Sequence, residues 1–144
     1  MIVLDTQHIS QLQRLGDPAG LRLSEKLSQF GDSEVRIAII SPYEQLRSLV
    51  GRIHRADNPE QVWPLVLLER LLAFYGSWTG RILPFDEPAI ALLRGFSPKL
   101  IRGIGAMDAR IAAIALHHGA TLLTANLSDF RQVPGLLVED WLRS

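Results

Sequence analysis

Short apolar runs alternate along this chain with longer segments of helical periodicity, and this alternation restricts the folds open to it. Parallel strands joined by crossover helices produce such a pattern, because each helix covers one face of the sheet. The sequence therefore predicts an α/β fold in which helices cover a mostly parallel central sheet of four or five strands. The predicted strands are Ile2–Leu4, Val35–Ile40, Arg81–Pro84, Thr121–Thr124 and Leu136–Val138.

The gaps between these runs predict helices at residues 8–15, 18–30, 42–55, 59–75, 86–94 and 107–118. Asp17 and Asn58 each stand before a proline, which places a capping side chain ahead of a proline at the first helical position. Gly31 and Gly119 are expected to close helices. Pro64 is awkward inside a helix that begins at residue 59, so we expect a kink or a later start there.

Length and composition limit the protein to one domain over residues 1–144 and exclude several kinds of site. Fifteen basic and fifteen acidic residues cancel, so a nucleic acid has to be recognised through a local patch. The absence of cysteine excludes a disulfide framework, a thiolate nucleophile and a cysteine zinc site. No leader peptide is recognisable, and the apolar stretch 62–75 carries charges and is too short to span a bilayer. We expect a soluble, cytoplasmic protein that does not contact membranes.

The first predicted strand runs directly into a carboxylate, Asp5. A buried carboxylate costs several kcal/mol unless it is paired or bound to a metal. Asp5 is therefore expected either to cap the next helix or to face a cation at the end of the sheet.

Other polar residues occur near the ends of later strands, and each one alone fits a structural role. Glu44 lies in a predicted helix opposite an apolar stripe, where it could be a solvated first-turn glutamate. Asp108 could be the N-cap of a buried helix rich in alanine, and Asn126 could be a cap three residues before Asp129.

Taken together, these residues predict a metal site. Ligands of parallel α/β sheets bind outside the carboxyl ends of the strands. Carboxylates that converge there without a lysine repel one another, and a hard divalent cation such as Mg²⁺ or Mn²⁺ removes that repulsion. An acidic metal cluster of this kind suits phosphodiester hydrolysis.

Four motifs in this order resemble those of a known family: Leu4-Asp5-Thr6, a strand and turn ending in Glu44-Gln45-Leu46-Arg47, Asp108 with Ile111-Ala112-Ala113, and Thr124–Phe130 followed by Val133-Pro134-Gly135-Leu136. The chain resembles, over nearly its whole length, the PIN-domain ribonucleases, and in particular the VapC-type toxins of bacterial toxin–antitoxin pairs. The resemblance implies a three-layer α/β/α PIN-like domain that acts as a Mg²⁺- or Mn²⁺-dependent endoribonuclease, cleaves RNA and forms a homodimer. It also implies a cognate antitoxin that inserts a segment into the active-site groove.

The resemblance assigns roles position by position. The three principal acids of the family match Asp5, Glu44 and Asp108. Asn126 stands where some members have an aspartate, and other members use the acid three residues later, which here is Asp129. Asn126 can still bind a metal through its carbonyl oxygen. Thr6 matches the hydroxyl residue beside the first acid, which could bind a ligand water or a phosphate.

Three other functions agree less well with the sequence. A PIN-type housekeeping nuclease for RNA processing or structured DNA is disfavoured, since the chain has no helical arch or extra domain. An inactive PIN binding module is supported only by Asn126. A Mg²⁺-dependent phosphoacceptor domain requires a lysine after a late strand, and Lys26 and Lys99 lie elsewhere.

Several further features have two interpretations. The four histidines, His8, His54, His117 and His118, lack metal-ligand spacing and are expected to have structural or solvent roles. A basic stretch beside Glu44 could bind RNA or could be a solvated helix face: Arg47, Arg52, His54 and Arg55. The segment 62–75 is more apolar than one helix face requires, which predicts that a second subunit or an antitoxin helix covers it.

Overall fold

A computed structural model describes residues 1–55 and 58–143. Its central sheet has five strands, all parallel, in the order β3-β2-β1-β4-β5. The strands are β1 (Ile2–Leu4), β2 (Val35–Ala38), β3 (Ile82–Leu83), β4 (Thr121–Leu123) and β5 (Leu137–Glu139). The predicted parallel α/β sheet is confirmed, although β2 is shorter than predicted because α3 already begins at Ile40.

The helices are α1 (Thr6–Gln13), α2 (Pro18–Leu27), α3 (Ile40–His54), α4 (Trp63–Gly76), α5 (Glu87–Arg94), α6 (Pro98–Ile104), α7 (Ala106–His117) and α8 (Leu127–Phe130). A 3₁₀ turn at Asp32–Glu34 precedes β2. Helix α6 was not predicted, although Ser97 before Pro98 is a start signal and its hydroxyl accepts a hydrogen bond from the Leu100 amide.

The predicted helix boundaries are confirmed at some ends and wrong at others. Asp17 caps α2 by accepting from the Gly20 amide, and Gly119 follows α7 with a φ of 60°. Helix α4 starts at Trp63, so the start at Pro59 behind an Asn58 cap is wrong, and the later start predicted from Pro64 is correct, with that proline in the first turn. Gly31 does not close α2, which ends at Leu27.

The core is divided between the two faces of the sheet. Val3 packs in the cluster that contains α7, whereas Ile2 and Leu4 belong to the cluster that contains Ile9 of α1. This alternation follows from the period of two in a strand. Helix α7 is buried through Ala109 and residues 111–115, as its alanine-rich sequence predicts, and it carries Asp108 in its first turn.

The apolar stripe predicted for α3 is mostly outside the core. The stripe consists of Leu46, Leu49, Val50 and Ile53. Leu49 is buried and Ile53 is partly buried, whereas Leu46 is 40% and Val50 is 49% exposed. Burial of a helix face depends on what the fold places against it, and α4 covers only part of this one. No helix in residues 1–55 and 58–143 combines the length and apolarity required to cross a bilayer.

The strand order creates a switch point between β1 and β4. From β1 the sheet extends through β2 to β3 at one edge, and β4 and β5 extend it from β1 to the opposite edge. In open parallel sheets a crevice forms at the carboxyl ends of the strands at such a point, because the crossover helices depart to opposite faces. A ligand site is therefore expected beside the C-terminal end of β1.

Candidate active site

Asp5 lies at this switch point. Its backbone amide donates to the Leu123 carbonyl of β4 at 2.9 Å, which extends the β1–β4 pairing by one residue. The Asp5 side chain is only 8% exposed. Its Oδ1 accepts from the His8 amide at 2.9 Å and therefore caps α1. The predicted cap is confirmed, and it engages one carboxylate oxygen.

A hydroxyl pair connects α1 to α3. Thr6 Oγ1 donates to Glu44 Oε1 at 3.1 Å and lies 3.0 Å from Ser41 Oγ. Thr6 has a single hydroxyl hydrogen, so Ser41 is the donor in the second bond. Glu44 is partly buried and the fifth residue of α3, hence it is not the solvated first-turn glutamate of the alternative interpretation. Sequence reasoning missed Ser41, whose only signal is its place between β2 and Glu44.

The bonded side chains of Thr6, Ser41 and Glu44 form one polar unit, and Asn126 and Asp129 form a second one after β4. Asn126 Nδ2 donates to Asp129 Oδ2 at 2.8 Å, and the Asn126 amide donates to Oγ1 of buried Thr124 at 3.0 Å. Asn126 occupies the N-cap position of α8, as the capping interpretation expects, but its side chain makes no capping bond to that helix. Its amide instead orients the Asp129 carboxylate.

Asp108 links the two units electrostatically. It occupies the first turn of α7, and Gly105 is the N-cap, so the N-cap interpretation of Asp108 is also wrong. Burial, and after it the negative charges of Glu44, Asp5 and Asp129 in that order of importance, raise the pKa of Asp108 to about 6. Three other carboxylates are thus close enough to destabilise its ionised form.

The donor set fits a hard divalent cation, although it is not a preformed cage. No three aspartate, glutamate or histidine side chains of the described residues are arranged closely enough to hold a metal ion as they stand. Within residues 1–55 and 58–143, the only ion-pair partner of the four carboxylates is His8, which lies beside Asp5. A cation bound by oxygen ligands would relieve the repulsion that raises the pKa of Asp108.

His8, for which the sequence predicts a structural or solvent role, is a direct neighbour of Asp5. It is fully buried, and its Nδ1 lies 3.0 Å from Asp5 Oδ1. The signal in the sequence was a histidine at the third position of a helix whose cap is an aspartate, since that position faces the capping side chain.

A groove of about 880 Å³ opens beside Thr6 and Glu44, between α1, α3 and α4. Its lining is largely apolar and also includes three arginines, Arg14, Arg52 and Arg70. Of the basic stretch predicted on α3, only Arg52 lines this groove, whereas Arg55 lines a smaller hollow beside Trp63.

Comparison with known proteins agrees with this architecture. The PIN domain pattern matches residues 2–136. The chain is 29% identical to ribonuclease VapC1 of Rickettsia felis over 95% of this chain and 93% of that protein. It is 30% identical to toxin FitB of Neisseria gonorrhoeae over 98% of this chain and 99% of FitB.

A solved structure of FitAB bound to an IR36 DNA fragment superposes with a TM-score of 0.75 at 28% identity, covering 99% of this chain and 96% of that one. The match to the domain pattern spans both polar units and both sides of the switch point. The chain therefore belongs to the PIN-domain family.

Proposed function

We propose that this protein is a divalent-metal-dependent endoribonuclease that acts as the toxin of a toxin–antitoxin pair. The observation that carries the proposal is the electrostatic coupling of Asp108 to Glu44, Asp5 and Asp129 at the carboxyl edge of a parallel sheet. The relatives named ribonuclease VapC1 and toxin FitB support the choice of RNA as substrate and of a toxin role.

Each acidic residue has a distinct part in this proposal. Asp5, Glu44 and Asp108 hold Mg²⁺ or Mn²⁺, and Asp129 is the fourth acid. A bound divalent ion supplies an activated water and stabilises negative charge on the phosphate. Thr6 keeps Glu44 oriented through its 3.1 Å hydrogen bond.

Asn126 assists without supplying charge. Its Nδ2 donates to Asp129 Oδ2 at 2.8 Å, so we assign Asn126 to holding Asp129 in place. The family positions that carry an aspartate here or three residues later are then both used, one as a hydrogen-bond donor and one as an acid.

The groove beside Glu44 provides the RNA-binding surface. Because the chain has no net charge, phosphate contacts must come from local cations, and Arg14, Arg52 and Arg70 are the arginines that line the groove. Contacts of this kind contribute affinity that does not depend on base sequence. An antitoxin segment in the same groove would exclude RNA and bury the apolar lining.

A homodimer accounts for the apolar surface of α4. Trp63, Leu65 and Leu72 are 57%, 49% and 60% exposed, on a helix that has no buried residue of its own. Exposed apolar surface of this extent marks an interaction site. We assign this surface, with Leu46 and Val50 of α3, to the second subunit.

Cleavage of total cellular RNA tests the proposal. Purified protein freed of antitoxin is incubated with Mg²⁺, Mn²⁺ or EDTA, beside an Asp5→Asn variant. Asparagine is as good an N-cap as aspartate, so α1 should remain folded while the charge at the site is lost. Discrete fragments that require metal and disappear in the variant are expected.

A binding module without activity is the second candidate, because Asn126 replaces a possible acid. RNA binding without cleavage under either metal would favour it and would contradict the nuclease. In that case Asn126→Asp is the first variant to assay for restored cleavage.

A further inference from the structure

His8 connects the site to the C-terminal turn of the chain. Its imidazole is fully buried beneath Asp5, and both of its ring nitrogens have partners. Nδ1 lies 3.0 Å from Asp5 Oδ1, and Nε2 lies 3.3 Å from the backbone nitrogen of Trp141.

These partners determine the tautomer. A backbone amide can only donate a hydrogen bond, so Nε2 accepts from Trp141 and carries no proton. The neutral ring then has its hydrogen on Nδ1, which donates to Asp5 Oδ1. The nearby Asp140 carboxylate is 3.8 Å from Nε2, beyond hydrogen-bonding distance, and its Oδ1 accepts from the Leu142 amide at 2.9 Å.

Two donors therefore converge on a single oxygen of Asp5. Oδ1 accepts from the His8 amide at 2.9 Å and from the His8 ring at 3.0 Å. An oxygen with two acceptor sites is fully engaged by these bonds, and rotation of the carboxylate would break both of them. The other oxygen, Oδ2, takes part in neither bond.

We propose that His8 is a positioning residue that fixes the Asp5 carboxylate with Oδ1 turned to α1 and Oδ2 available to a divalent cation. The turn at Asp140–Leu142 is part of the same device, because the Trp141 amide sets the tautomer of His8. The inference rests on the proposed function, in which Asp5 holds the metal. Hydrogen bonds to a ligating carboxylate typically change metal affinity by about 10–100-fold.

Packing alone does not require a histidine at position 8. A fully buried imidazole costs free energy unless both nitrogens are satisfied, whereas the neighbouring Ile9 shows that the core accepts aliphatic side chains here. The geometry satisfies both nitrogens, and one of the two bonds is made to a residue of the site.

Amide substitutions separate the two bonds of His8. In His8→Asn the side-chain amide can reach the place of Nδ1 and donate to Asp5, but it cannot reach Trp141. In His8→Gln the longer side chain can accept from the Trp141 amide and loses the Asp5 bond. His8→Leu removes both bonds, and His117→Leu is the control, since His117 is exposed at the opposite end of α7 from Asp108.

The first readout is Mn²⁺ affinity measured by titration calorimetry without RNA. We expect His8→Asn to stay within about threefold of the parent, and His8→Gln and His8→Leu to bind about 10–100-fold more weakly. The control should equal the parent. Thermal unfolding establishes that each variant is folded, and if His8→Leu is not, the Asn and Gln variants decide.

The second readout is the ¹⁵N NMR signal pair of the His8 ring in metal-free protein, which should show a protonated Nδ1 and an unprotonated Nε2. The inference is overturned by the opposite tautomer, by parent-like affinity in His8→Gln and His8→Leu, or by equal weakening in His8→Asn and His8→Gln. A parent protein that binds no Mn²⁺ and cuts no RNA instead overturns the proposed function, which keeps the two failures distinct.

Discussion

Replacing Asp108 by asparagine should stabilise the metal-free protein while it abolishes nuclease activity. The pKa of Asp108 is raised from 3.8 to about 6, because the folded state opposes its ionisation. At neutral pH a difference of this size corresponds to about 3 kcal/mol of destabilisation. The carboxyl group is partly exposed, so solvent screening reduces this cost to roughly 1–2 kcal/mol.

The helix dipole opposes part of this gain. Asp108 lies in the first turn of α7, where a negative charge contributes about 0.3–1 kcal/mol of stability that asparagine forfeits. We therefore expect Asp108→Asn to raise the free energy of unfolding by roughly 1 kcal/mol at pH 7.5 in EDTA. For a chain of this length that is an increase in Tm of roughly 3 °C.

The effect should depend on pH with a defined sign. Because the folded pKa is raised, the folded parent retains its proton at pH values where the unfolded chain has lost it. Retention of this proton contributes to the free energy of unfolding of the parent. The contribution is fully present below pH 3.8 and is lost as the pH rises through about 6. The difference in the free energy of unfolding between Asp108→Asn and the parent should be near zero at pH 4 and reach its full value at pH 7.

Urea unfolding at pH 4, 5.5 and 7.5 in EDTA is the assay, repeated with Mg²⁺ at pH 7.5. Metal should stabilise the parent by about 1.4 kcal/mol at ten times its Kd and stabilise the variant much less. Asp32→Asn is the matched control, since Asp32 has a side chain 97% exposed and should show no such difference. The reasoning is refuted if Asp108→Asn is less stable than the parent at pH 7.5 in EDTA, or if the difference does not change with pH.

Three further predictions concern packing, assembly and RNA binding. Gly20→Ala should lower the free energy of unfolding by about 1–3 kcal/mol in urea titrations, because its Cβ would lie 2.5 Å from the Gln11 carbonyl oxygen, whereas Gly76→Ala, with open space around it, should not. Leu65→Glu should convert a dimer to a monomer in sedimentation experiments, and a parent that is monomeric at every concentration contradicts the assigned interface. Arg52→Ala should reduce the salt slope of RNA affinity by about one, and exposed Arg22→Ala should leave it unchanged.

The part of the site that could be predicted from the sequence is the part encoded locally. Asp5 follows an apolar run, so both the strand and the position of its carboxylate are evident from five consecutive residues. The convergence of Glu44 and Asp108 with it follows from parallel strands ending at one edge. The start of α2 behind the Asp17 cap is also encoded by one or two residues, whereas the same signal at Asn58 and Pro59 starts no helix, since α4 begins at Trp63.

What could not be predicted depends on contacts between distant residues. The hydrogen bond from the Trp141 amide to the His8 ring joins residues near the two ends of the sequence, and no periodicity in the sequence predicts it. Leu46 and Val50 have helical spacing but remain exposed, because nothing described covers that part of α3. The role of Asn126 likewise depends on the side chain that its amide meets, and capping and carboxylate binding require the same residue type.

The pairing of β1 with β4 determines when the site can exist. Ile2 pairs with Thr121 and Leu4 with Leu123, so the central strands of the sheet are separated by most of the chain. Closing so long a loop costs conformational entropy before any contact repays it, and non-local pairings of this kind slow folding. During most of the synthesis of the chain, Asp5 and Glu44 are therefore present while β4 is not. Nuclease activity should begin only after β4 has been made and has paired with β1.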